Sequence, residues 1–237
     1  MKTYRIYPLK LGTSIRDSSA VAYQQNPGTQ REQPIISYYV TDGSRKVLVD
    51  TGGDPADGVK HMPYYQDEDD FLPIRLGALN VKPEEIDTVI LTHLHWDHCS
   101  NNDLFPNATF YVQREELRYA AAPLAIQKKL YDQQVIFKTD YVILNGCADI
   151  LDGIRVIPTP GHSPGSQSVL IQTEKGIYAL TGDLVTVFDC WEANPRIVNG
   201  LHTDMIRYYE NFDYLEKSCD HILPGHEIGV FRQPCYP

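Results

Sequence analysis

Apolar residues in this chain gather in short, β-branched blocks separated by polar turns, a pattern that predicts strands more often than long helices. The clearest block is Thr88-Val89-Ile90-Leu91-Thr92, which reads as a buried strand. Similar blocks predict strands over residues 3–9, 35–40, 46–49, 109–112, 141–144, 154–158, 168–173, 177–181 and 221–223. Asp42-Gly43-Ser44-Arg45 supplies a turn between the second and third of these, and Glu174-Lys175-Gly176 a hairpin turn late in the chain. Helix formers around Glu115, Glu116, Leu117, Leu124, Ile126 and Leu130 predict a helix over 114–131, and a second helix is expected over 204–217. Pro83-Glu84-Glu85-Ile86 puts proline at a helix start with acids in the first turn. Residues 54–71, acidic and aromatic with Pro55 and Pro63, read as a surface loop whose run Asp67-Glu68-Asp69-Asp70 is a solvated face.

Strands in both halves with helices between them predict an α/β (α+β) architecture, an αββα sandwich of two mixed sheets flanked by helices. No Gly/Ser linker or low-complexity tract interrupts residues 1–237, so one domain is expected.

The chemistry concentrates where predicted strands end. His93-Leu94-His95-Trp96-Asp97-His98 leaves the 88–92 strand and packs three imidazoles and a carboxylate into six residues. Such groups suit a borderline-soft divalent metal. As a helix cap, Asp97 would be unremarkable, but a cap does not account for the histidines around it. Three more candidates occupy the same kind of position: His162 in Thr159-Pro160-Gly161-His162-Ser163-Pro164-Gly165, Asp183 in Gly182-Asp183, and His226 in Pro224-Gly225-His226-Glu227. The carboxyl ends of strands in open α/β sheets are where ligands usually bind. Together these loops offer seven ligands.

Bulk properties narrow the partners. The net charge of −10 and pI near 5.2 disfavour attraction to nucleic acid or an anionic membrane. No apolar stretch approaches the roughly 20 residues a bilayer demands, and no signal-peptide core follows Met1. Five scattered cysteines without a CxxC pair suggest neither a zinc–thiolate site nor a disulfide framework. Cys99 and the other four read as packing residues, His61 and His221 as surface or strand-end histidines, and the whole as a cytoplasmic protein acting on a small molecule.

The hexapeptide, Pro160-Gly161-His162-Ser163, Gly182-Asp183 and Pro224-Gly225-His226, in that order, resemble the metallo-β-lactamase superfamily, and Asp50-Thr51-Gly52 resembles its early motif. Within it, Thr159-Pro160-Gly161-His162-Ser163-Pro164-Gly165-Ser166-Gln167-Ser168 is similar to the N-acyl homoserine lactonase group. The resemblance implies that His93, His95 and His162 hold one metal, Asp97, His98 and His226 a second, and that Asp183 bridges them. Zinc is the expected metal, with cobalt, manganese or iron also suited to such ligands. It further implies ring opening by a metal-bridging hydroxide, with Asp97 as the catalytic carboxylate that orients the nucleophile and passes a proton.

One position departs from the group, which often carries a tyrosine three residues after the bridging aspartate; here it is Thr186. That leaves open a hydrolase of the same fold acting on another lactone, a thioester or a β-lactam. Asp50 and His202 are candidates for holding a ligand ring or lining the pocket, and Tyr64, Tyr65, Phe71, Phe188 and Trp191 for an apolar wall. A homodimer is compatible with the sequence.

Overall fold

The computed structural model describes residues 2–58, 60 and 62–237, so His61 lies outside the described residues. Seven strands form the first sheet: β1 (Arg5–Asp17), β2 (Gln30–Thr41), β3 (Lys46–Val49), β4 (Tyr64–Tyr65), β5 (Thr88–Ile90), β6 (Thr109–Gln113) and β7 (Tyr141–Leu144), in the order β4-β1-β2-β3-β5-β6-β7. Five form the second: β8 (Ala148–Leu151), β9 (Ile154–Pro158), β10 (Gln167–Thr173), β11 (Gly176–Leu180) and β12 (His221–Leu223), in the order β12-β11-β10-β9-β8. The helices are α1 (Ser18–Val21), α2 (Pro55–Gly58), α3 (Leu72–Gly77), α4 (Trp96–Cys99), α5 (Arg114–Ala121), α6 (Gln133–Ile136), α7 (Phe188–Glu192) and α8 (Met205–Glu216). Among the described residues no helix is long and apolar enough to cross a membrane.

Alternation along the strands builds the layers. In β2, Ile36, Tyr38 and Val40 meet Val156, Val169, Ile171 and Leu180 of the second sheet, while Ile35 and Tyr39 face the opposite way. That opposite face is covered by Leu72 and Leu76 of α3 and Ala120 of α5. The outer face of the second sheet, with Ile157, Leu170 and Ala179, is covered by Tyr208, Phe212 and Leu215 of α8. Helix, sheet, sheet, helix is therefore the order of layers, as the sequence pattern predicts.

Strand direction decides where the loops gather. β3, β5, β6 and β7 run parallel. β10 is antiparallel to both β9 and β11, and β12 is parallel to β11, so β9, β11 and β12 share one direction.

Several local expectations fail for identifiable reasons. The helix expected over 114–131 stops at Ala121, because Ala122 precedes Pro123 and leaves the helical region at φ −149°. Pro83–Glu85 is a single 3-10 turn, with Glu85 accepting from the Lys82 N–H at 2.8 Å. The 54–71 segment is not all loop: it contains α2, β4 and a 3-10 turn at Glu68–Asp70. Nor is its acidic run wholly solvated, since Asp70 is buried and paired with Lys10 and Arg75. β1 and β2 run well past their predicted ends, through polar residues such as Ser14, Arg16 and Gln33 that hide the strand pattern. All five cysteines are free; Cys99 and Cys190 are packing residues, but Cys147 is exposed.

Candidate metal centre

Four strand ends carry the seven residues singled out in the sequence to one place. His93 and His95 follow β5, and α4 then sets Asp97 and His98 on one helical turn. His162 lies past β9, Asp183 in a 3-10 turn past β11, and His226 past β12. All seven are buried. Gly182, at φ +51°, lets its turn press against Thr92, where a Cβ would come within 2.7 Å of the hydroxyl.

The ligand atoms fall into three overlapping groups: His93, His95 and His162; His93, His98 and Asp183; and Asp97, His98 and His226, each spanning no more than 4.8 Å. His95 Nδ1 lies 3.0 Å from His93 Nε2 and 3.1 Å from His162 Nε2. Asp183 stands between the first and last groups. Its Oδ2 is 3.3 Å from His162 Nε2, while its Oδ1 is 3.3 Å from His98 Nε2 and 3.0 Å from His226 Nε2. Asp97 closes the far side, 4.0 Å from His98 Nε2 and 3.8 Å from His226 Nε2.

The rings are aimed by what holds their other nitrogens. His162 Nδ1 bonds to the Leu201 carbonyl at 2.7 Å, His226 Nδ1 to the Pro34 carbonyl at 2.9 Å, and His98 Nδ1 to Asp50 at 2.7 Å. Asp50 sits in the left-handed region at φ 62° and also accepts from the Thr92 N–H and hydroxyl, so it ties β3 to the loop after β5. With those nitrogens engaged, His98 Nε2, His226 Nε2 and Asp183 Oδ1 are left without hydrogen-bond partners among the described residues. Buried polar atoms are rarely stranded, and lone pairs converging like this fit a cation.

The electrostatics agree at His93, His95, His162 and Asp183. Burial pushes His93, His95 and His162 below the usual imidazole range, keeping them neutral and able to donate lone pairs. Burial would also raise the Asp183 carboxyl, but His226 and His162 override it and hold Asp183 ionised, well below the carboxylate range. Burial alone would likewise lower His98, yet the Asp50 carboxylate beside it, with Asp183 and Asp97, holds it well above. Cys99 beside the cluster is not a ligand: its thiol reaches the Leu94 carbonyl and burial pushes it far up.

Three supporting residues escaped the sequence reading. Glu116, fully buried on α5, accepts from the Leu94 N–H at 3.1 Å, Tyr131 Oη at 2.9 Å, Ser163 Oγ at 2.6 Å and the Gly165 N–H at 3.1 Å. Burial, the larger influence, pushes its carboxyl upward against the pull of these bonds. Gly165 allows the approach, since a Cβ there would stand 2.0 Å from the Glu116 backbone nitrogen. The only sequence signal for Glu116 was an acid on the same helical stripe as Ala120. Arg16, on β1, places Nη2 3.0 Å from Asp97 Oδ2. Asn199 reaches Asp183 Oδ2 at 3.4 Å.

The weaker candidates scatter. Thr186 is buried beside His226, whose N–H bonds to its carbonyl at 2.9 Å. His202 bonds to the Asn199 carbonyl and meets Tyr23 edge-on, one residue from the Leu201 carbonyl but in none of the ligand groups. Phe188 packs against Gly229, the core between the sheets and the core beneath α8, and Trp191 packs on Phe212 under Arg196. Tyr64 is buried edge-on to Trp96, while Tyr65 and Phe71 are exposed. His221 stacks on Tyr178 at a strand start.

Residues 32–226 match the metallo-beta-lactamase superfamily. The chain is 32% identical over 197 residues to an N-acyl homoserine lactonase of Bacillus cereus, covering 77% of this chain and 76% of that one. It is 29% identical over 249 residues to the lactonase AttM of Agrobacterium fabrum, covering 96% and 94%. Among solved structures, a mutant of AiiA from B. thuringiensis with N-decanoyl-L-homoserine at its active site superposes with a TM-score of 0.84 at 26% identity, covering 98% and 96%. An N-acyl homoserine lactone hydrolase with N-hexanoyl-L-homoserine at its catalytic metal centre also superposes with a TM-score of 0.84, at 25% identity and the same coverage.

Proposed function

Because the chain belongs to the metallo-beta-lactamase superfamily, we propose that it is a two-metal hydrolase that opens the ring of N-acyl homoserine lactones. The observation that carries this reading is the carboxylate of Asp183 standing between two buried ligand groups, in a chain whose relatives are lactonases. His93, His95 and His162 would hold one ion, Asp97, His98 and His226 the other, and Asp183 both. Zinc fits the imidazole and carboxylate donors, as would cobalt, manganese or iron. Divalent ions in such a site acidify water and polarise an ester carbonyl.

The chain's own residues supply the rest. Arg16 fixes the Asp97 carboxylate through Oδ2. Water is the nucleophile, so neither a serine nor a cysteine is needed: as it adds to the carbonyl carbon, Asp97 would take its proton and pass it to the ring oxygen when the ring C–O bond breaks. The five free cysteines suit a reducing, cytoplasmic setting.

The reading is tested by chelating the metal, reloading it, and assaying lactones, a thioester and a β-lactam. Lactone turnover should vanish on chelation and return with two equivalents of metal; a fully loaded protein that opens no lactone would refute it. Thr186, where the group often has tyrosine, favours the second reading, a different lactone or ester, and the same panel separates the two. Asp97→Asn should lower kcat at least about 100-fold, as expected for loss of a general acid–base group. Full turnover with full metal content in that variant would remove Asp97 from the mechanism.

A further inference from the structure

One donor beside the metal centre is unspent. Among the described residues, the side chains that bond to or stack on a ligand side chain are Asp50 on His98, Thr92 on His93, Asn199 on Asp183, Tyr131 on His95 and Arg16 on Asp97. The first four are buried, whereas the Arg16 side chain keeps 12% of its surface exposed. Its Nη2 donates to Asp97 Oδ2 at 3.0 Å and its Nε to Met62 Sδ at 3.1 Å. Nη1 bonds to no described residue and is not enclosed. One arm of the guanidinium thus holds a metal-ligating carboxylate while the other stands open to solvent.

A second arginine stands beside it. Arg16 is paired with Arg31 across β1 and β2. Side chains opposite one another in such a pair leave the same face with Cβ atoms about 5 Å apart, and like charges placed so repel. The carboxylate that answers Arg31 is Asp189, at 3.3 Å and with 75% of its side chain exposed. Ion pairs that open to water contribute little. From Arg31, β2 continues to Pro34, whose carbonyl holds the His226 ring. Nor does Asp97 fully answer Arg16, since as a metal ligand it would share its charge with an ion. Two facing guanidiniums beside a ligand are a local conflict, in a chain whose net charge is −10. Proteins keep such conflicts at sites that function uses.

We propose that Arg16, with Arg31 beside it, binds a carboxylate that the substrate carries apart from its scissile ester. This rests on the ester-hydrolase reading and deepens it by naming a second, anionic group that the substrate presents. A guanidinium is charged at every working pH, and its planar array of N–H donors suits a carboxylate. A neutral carbonyl would accept from one N–H but leave the repulsion between the two arginines in place. An alkyl end would take water from Nη1 and return no hydrogen bond. A hydrogen bond between charged partners is worth about ten-fold or more in binding, which sets the size of the preference.

The test uses N-succinyl-, N-glutaryl- and N-adipoyl-homoserine lactone, each beside the analogue whose terminal carboxylate is replaced by a carboxamide. The lactones are assayed for kcat/KM, and their ring-opened forms are titrated calorimetrically into metal-loaded wild type, Arg16→Met, Arg16→Lys and Arg31→Met. For at least one chain length, wild type should favour the carboxylate about ten-fold or more in both readouts. Arg16→Met should bring that ratio near one, Arg16→Lys should keep part of it, and Arg31→Met should reduce it. The ratio is the readout because losing the hold on Asp97 slows both members of a pair alike. Arg31→Met should also melt no lower than wild type, since it removes a like-charged pair. Equal treatment of carboxylate and carboxamide by wild type at every length, or a preference that Arg16→Met leaves intact, would overturn the proposal. If Arg16→Met does not fold, an undiminished ratio in both Arg16→Lys and Arg31→Met overturns it instead. If no lactone is hydrolysed but the ring-opened carboxylates are preferred and the variants lose that preference, the lactonase reading fails and the anion subsite stands.

Discussion

Alanine at Glu116 is expected to lower the melting temperature by on the order of 10 °C and to empty the metal site at metal concentrations that saturate wild type. Four donors converge on this carboxylate: two backbone N–H groups, Ser163 and Tyr131. Each donor stranded in the interior costs about 1–3 kcal/mol, so a total on the order of 4 kcal/mol is reasonable even after some relaxation. For a chain of this size that corresponds to the stated shift. The effect on metal follows from where the donors lie. Leu94 sits between His93 and His95, and Ser163 follows His162, so Glu116 staples two ligand loops that come from different sheets. Glu116→Gln should be milder, since one oxygen still accepts while the amide nitrogen faces donors. Differential scanning calorimetry and metal analysis check this. An alanine variant with wild-type melting and metal content would show the staple to be idle.

The second large effect is expected at Asp50. It fixes the His98 ring and accepts two bonds from Thr92 without being a ligand itself. Carboxylates in that relation to a metal-bound imidazole are worth about 10- to 100-fold in metal affinity. Asp50→Asn should lose that much at the ion held by Asp97, His98 and His226, while affinity at the His93, His95 and His162 group changes less. Asp50→Ala should lose more, because alanine tolerates the left-handed backbone at φ 62° less well than asparagine does. Stepwise metal titration with competition by a chelator resolves the two sites. Equal weakening of both ions, or of neither, would contradict the role.

Much of this molecule was legible without coordinates. The strand blocks, the turn at residues 42–45 and the late helix over Met205–Glu216 are local patterns, and local patterns survive folding. The seven histidine and aspartate positions stood out because each follows an apolar run and sits beside a turn. Their convergence is a consequence of strand direction, which βαβ connections and the β9–β10–β11 meander impose. The illegible parts were those where polar residues continue a strand, as in β1 and β2, or where one proline cuts a helix short, as after Ala122.

The sequence by itself determined the two-sheet architecture, the family, and which strand ends present imidazole and carboxylate. These are carried by periodicity and by residue types within short windows. Only the tertiary structure decided which residues support them. Glu116 reaches Leu94 across 22 positions, Arg16 reaches Asp97 across 81, and Pro34 receives His226 across 192. No local pattern announces such bonds, because a buried carboxylate, guanidinium or amide becomes meaningful only when the chain has closed around it and removed the water that would otherwise pair with it.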